Sequence, residues 1–213
     1  MSNDIEKLEV SGNLEIWKIF PSGDEEKVFD DHNVITSGMG VGLALLFAGS
    51  GADSITDYQV RWAQIGVSGN TAIANSYDSS QYSLVSALGH AGGEGDYGAS
   101  IDIIVNNHDL MAPDGGIQTP GAGGQWFLYI PQNSIRKSSP TSVTYSIFIP
   151  NGACNGHVVN EIGLFMHNPL AGVSDEYTLT EELVRSPLVA YRPFVDIAKT
   201  SEFALVFRWT ISF

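Results

Sequence analysis

Cys154 and His157 stand three residues apart, and a thiol beside an imidazole is a pairing able to attack an acyl carbon. Both fall at the turn that runs from Asn151 to Gly156, and no G-x-S-x-G elbow occurs elsewhere. The pair therefore reads as a surface thiol beside a histidine, without a nucleophile's setting. Zinc would need several converging ligands, whereas His32, His90, His108, His157 and His167 are dispersed, with neither H-E-x-x-H nor C-x-x-C present. The run Gly92-Gly93-Glu94-Gly95-Asp96 approaches a calcium-binding nonapeptide, but its aspartate comes one place early and the unit is not repeated. A glycosidase uses two facing carboxylates, yet Glu25-Glu26, Asp30-Asp31, Asp175-Glu176 and Glu181-Glu182 lie in polar contexts that read as solvated faces. The expectation is a chain that is not an enzyme and needs neither metal nor cofactor.

Glu161 is different, because it interrupts the apolar run Val158-Val159-Asn160-Glu161-Ile162-Gly163-Leu164-Phe165. A carboxylate on a buried strand must find a partner. Arg192 and Arg208, each inside a strand-like segment, are the candidates for a bidentate ion pair, within the chain or across a subunit boundary.

The elements that must position these residues are mostly strands. Leu14 to Phe20 and Lys27 to Val34 flank Pro21-Ser22-Gly23-Asp24, an N-terminal hairpin within residues 1–35. Thr36 or Ser37 can cap a short helix from Gly38 to Ala48, with Met39, Leu43, Leu46 and Phe47 at helical spacing. Strands are predicted from Tyr58 to Ile65, Ser83 to Leu88, Ile101 to Val105 and Trp126 to Ile130. Glycine-rich loops follow from Gly89 to Gly98 and from Ala112 to Gly124, where mobility is expected. Val143 to Ile149 and Val158 to Met166, joined by the turn at Pro150-Asn151-Gly152, read as an antiparallel pair. At the end of the sequence Phe203, Leu205, Phe207, Trp209, Ile211 and Phe213 take every second position, which demands a strand with one buried face. With no fixed repeat and no linker, residues 1–213 form one domain, an antiparallel two-sheet β-sandwich with one short helix.

Composition agrees: 23 glycines, 10% aromatic and only 16% charged residues suit short strands and tight turns. A net charge of −14 argues against binding nucleic acid or an anionic membrane, since both recruit Lys and Arg. The one basic pair, Arg136-Lys137, reads as a solvated turn. Cys154 is the single cysteine, so packing or assembly must stabilise the chain in place of disulfides, as suits a reducing cytoplasm. Residues 1–10 carry no secretory signal pattern.

The order of short segments resembles small virion structural proteins of tailed bacteriophages. A strand pair leads to Asn33-Val34-Ile35-Thr36, a glycine-bearing helix, and a strand ending Ile65-Gly66-Val67-Ser68-Gly69. Asn160-Glu161-Ile162-Gly163-Leu164-Phe165, then Leu188-Val189-Ala190-Tyr191-Arg192-Pro193-Phe194 with Lys199-Thr200, and an aromatic last strand complete the pattern. The glycine-rich insert 90–124 departs from it. The resemblance implies a β-rich component of the tail, neck or baseplate, made in the host cytoplasm. It would assemble as a ring or trimer with other virion proteins. A head decoration or head-fibre protein is the nearer alternative. A module that binds host-surface glycans is the other, with Trp126 beside the glycine-rich loop as its stacking platform. Trp209 and Phe213 would serve the core or an interface.

Overall fold

The computed structural model describes residues 10–48, 59–89, 95–98, 100–101, 103–106, 110–111, 117–118, 125–166 and 186–213. The predicted mobility of the two glycine-rich loops falls almost wholly outside them. Two sheets face each other. The first holds five strands in the order β2 (Glu25–His32), β1 (Ser11–Ile19), β13 (Ala204–Ser212), β10 (Ser142–Ile149) and β9 (Ile135–Ser139), all antiparallel. The second is built on β5 (Ile103–Asn106), β8 (Gln125–Tyr129), β4 (Val60–Gly66), β11 (Val158–Met166) and β12 (Ser186–Ala198). The short strands β3 (Val34–Ile35), β6 (Leu110–Met111) and β7 (Ile117–Gln118) extend it. The one exception to antiparallel pairing among these strands is β6 against β12.

The N-terminal hairpin forms as expected, closed by Phe20 N–H to Asp24 O at 3.0 Å, with Gly23 at φ 90° in its turn. The last strand lies in the middle of its sheet, between β1 and β10, and Leu205, Phe207, Trp209 and Ile211 are buried against the facing sheet. Phe213 departs from that alternation and is 43% exposed at the rim of an apolar groove of about 410 Å³ under the first helix.

Four features differ from what the sequence predicts. The strands β10 and β11 do not pair; they belong to opposite sheets, and the segment between them crosses the sandwich. Its turn uses Cys154 at φ 57° and Gly156 at φ 87°, and the path is chosen by distant partners. A second helix, α2 (Gly69–Ala74), follows α1 (Ser37–Ala48); six residues are too few for a readable helical period. Ser83 to Leu88 is not a strand but an irregular stretch with a single bridge, Gly66 to Ala87. Thr36 and Ser37 do not cap α1 with their side chains: Thr36 Oγ1 donates to Leu188 O and Ser37 Oγ to Ser79 O.

The segment carrying α2 covers the outer face of the second sheet. Under it Trp62, Leu84, Phe127, Phe165, Leu188 and Tyr191 form a core separate from the one between the sheets. That third layer explains why β11 is buried at every position after Val158, where a strand with one wet face would alternate. Nor is the insert 90–124 only a surface excursion. It supplies β5 and the buried Tyr97, which accepts from Ile65 N–H at 3.1 Å and whose main-chain O receives Cys154 N–H at 3.1 Å.

Candidate functional site

Glu161 is fully buried, as its apolar strand required, but no arginine meets it. Its carboxylate accepts from the main-chain N–H groups of Val85 and Ser86, each at 2.9 Å, and of Ser68 at 3.3 Å. The fourth donor is the Tyr191 hydroxyl at 2.7 Å. Burial first, then the adjacent carboxylate, hold the Tyr191 phenol above its ordinary pKa, so it remains a donor. The negative charge is thus spread over four hydrogen bonds, the arrangement that makes a buried carboxylate tolerable.

The predicted arginine partners are engaged elsewhere, for a reason of strand geometry. Tyr191 lies opposite Gly163 and Arg192 opposite Ile162, so Arg192 sits on the alternate face of the sheet from Glu161. Arg192 pairs with Asp31, donates to Tyr77 Oη at 2.6 Å and lies 5.4 Å from the Phe29 ring. Arg208 belongs to the other sheet, where it points outward and stacks 5.1 Å from the Trp17 ring.

Around Glu161 the backbone has been cleared of side chains. A Cβ at Gly66 would collide with Glu161 Oε1 and stand 2.6 Å from Ser86 O, and one at Gly69 would collide with Asn160 O. Asn160 repeats the device one residue earlier, accepting from Gly69 N–H at 2.7 Å and donating to Asp196 at 2.9 Å. Two consecutive polar residues on β11 therefore clamp the covering segment at both its start and its end. At the neighbouring β12, Thr36 N–H bonds Val189 O at 3.2 Å and a Cβ at Gly38 would collide with Leu188 O.

No protein-family model matches the chain, and neither a curated protein nor a solved structure shows significant similarity to it. The reading of function therefore stands on residues and geometry.

A second buried polar centre closes the crossing between β10 and β11. Lys199 is 1% exposed; its Nζ donates to Thr200 O at 2.7 Å, Asn155 Oδ1 at 3.1 Å and Asn151 O at 3.3 Å. Burial pushes its pKa down, and the three oxygens satisfy its three protons. Sequence reasoning missed this role, although Lys199 directly after a long apolar strand was the available signal.

Cys154, read from sequence as a surface thiol, is buried beneath this turn, and burial pushes its pKa up to about 12. His157 is half-buried and its Nε2 lies 3.7 Å from Asp96. A thiol reagent is expected to leave Cys154 unmodified in the native protein and to label one thiol per chain after denaturation. Labelling of the native protein at the rate of a free thiol would show that the crossing opens.

Trp62 and Trp209 are core residues, and Trp17 is flanked by Lys27 at 4.9 Å and Arg208 at 5.1 Å. For Trp126 the backbone is described, in β8 opposite Val105; its side chain lies outside the described residues. No group of three or more metal-ligating side chains occurs among the described residues.

Proposed function

We propose that this chain is a structural component of a tailed bacteriophage virion, acting by protein-protein assembly in the tail, neck or baseplate. One observation carries the reading: the segments on which the resemblance rests meet in space. Ile65–Gly69, Asn160–Phe165 and Leu188–Phe194 enclose the Glu161 carboxylate, and Asn33–Thr36 joins the same strand β12. Pieces that are weak singly are parts of one device, in which Gly66 admits the carboxylate, Gly69 admits the Asn160 carbonyl, and the carboxylate holds the covering segment.

The surface supports an assembly role. Phe47 at 85%, Val195 at 60% and Phe148 at 57% exposure are large apolar side chains left to solvent on a chain with a well-filled core, as contact surfaces are. Closed symmetric association, a ring or trimer, is the expected state, with synthesis in the host cytoplasm.

Mass spectrometry of intact, purified particles from a phage encoding this chain tests the reading. The chain is expected in a few to about a dozen copies per particle, the number that ring symmetry at a tail axis allows. Hundreds of copies would move the assignment to the head surface. Complete lack of the chain from particles would overturn it.

A further inference from the structure

The five-stranded sheet ends in two strands of opposite charge. Among the described residues no strand pairs with the outer side of β2 or of β9, so both offer a row of open main-chain N–H and C=O groups. On β2, Glu25, Glu26, Asp30 and Asp31 are all exposed. The one lysine of that strand, Lys27, is held by Glu15 at 2.7 Å and Asp30 at 2.9 Å, while Lys18 lies 3.8 Å from Glu26 and Arg192 pairs with Asp31, which leaves Glu25 without a cation among the described residues. On β9, Arg136 and Lys137 are exposed and adjacent, and among the described residues neither meets a carboxylate. The pair expected in a solvated turn thus lies on an edge strand.

Charge on an edge ordinarily keeps copies apart, and a mixture of signs on each edge would serve that end. Here the signs are segregated. With a net charge of −14, two copies repel over most of their surfaces, and a basic edge singles out an acidic one. Four successive antiparallel pairings separate β2 from β9, so the two edges run in the same direction. A head-to-tail repeat then brings them side by side as a parallel pair. Followed across the sheet, the pairings set Arg136 level with His32, so bringing Arg136-Lys137 beside Glu25-Glu26 staggers neighbouring copies by about seven residues, and each face then receives one cation and one carboxylate because adjacent strand residues point to opposite faces. Two-fold pairing of β2 with β2, or of β9 with β9, would oppose like charges.

We propose that β9 of one copy docks on β2 of the next, continuing the five-stranded sheet from subunit to subunit. Such a contact closes into a ring when its rotation divides the circle. The proposal names the contact face for the assembly reading and rests on that reading for its setting, while the contact itself is testable on the purified chain alone.

Light scattering and sedimentation of the full chain are expected to show association at about 10 mM salt, where the Debye length is about 30 Å, and its loss at about 0.5 M. The double variants Arg136→Glu/Lys137→Glu and Glu25→Lys/Glu26→Lys change exposed side chains, so their melting temperatures should match the parent. Each alone should associate about tenfold more weakly or worse. Mixed together, one with two acidic edges and one with two basic edges, they should associate again. A parent that stays monomeric at low salt, variants that associate unchanged, or a mixture that stays monomeric would each overturn the proposal. A monomeric chain found in particles would remove the edge contact alone. An edge-associating chain missing from particles would remove the virion reading alone.

Discussion

Deleting Trp209 to Phe213 is expected to leave no folded protein. The lost residues are half of the central strand of the first sheet. Their removal takes two fully buried side chains, Trp209 and Ile211, worth about 1.5 to 3 kcal/mol each by burial alone. It also strips hydrogen-bonded neighbours from both sides, since Trp209 to Ser212 pair with Ser11–Leu14 of β1 and with Ser142–Tyr145 of β10. A domain holds only about 5 to 15 kcal/mol in total, so the truncated chain should be insoluble or lack a cooperative melt. Trp209→Ala alone should cost about 3 to 5 kcal/mol. Trp209→Phe should be far milder, because the indole N–H is buried with no hydrogen-bond partner among the described residues and its loss leaves nothing unpaired. A truncated chain that melts like the parent would mean that β13 does not hold the sandwich together.

Replacing Glu161 by glutamine is expected to be the most damaging change of a single atom. The amide nitrogen would face donors that now share two carboxylate oxygens, leaving main-chain N–H groups of Val85, Ser86 or Ser68 unmet beside a fully buried side chain. Each orphaned donor costs about 1 to 3 kcal/mol, so the total should reach about 3 to 5. Glu26→Gln, at an exposed position paired at 3.8 Å with Lys18, should cost less than about 1 kcal/mol. Urea melts read the difference, and hydrogen exchange locates it. Amide exchange at Val85 and Ser86 should accelerate in Glu161→Gln before exchange in β13 does. Equal, small effects of the two changes, with no local acceleration, would mean the covering segment is held by its apolar contacts and not by the carboxylate.

Much of this protein is legible in its sequence because solvent exposure has a period. The strict alternation from Phe203 to Ser212, the hairpin around Pro21 to Asp24 and the helix from Gly38 onward follow from which residues can face water, and the structure holds each of them. Burial of Glu161 was legible the same way, from the apolar residues beside it. Its partners were not. Every residue but proline carries a main-chain N–H, so a carboxylate anchored by Ser68, Val85 and Ser86 leaves no residue-type signature, and the arginines that did carry one face elsewhere. Membership of a sheet was likewise undecided: a turn such as Pro150 to Gly156 can close a hairpin or cross a sandwich, and only the partners of β10 and β11 chose the crossing. That choice buried Cys154 and Lys199 and left β2 and β9 as opposite edges, and long-range pairing likewise gathered donors from distant segments around one carboxylate. Periodicity reports which face of a segment is buried; what lies against that face is decided by long-range pairing, which a local pattern does not encode.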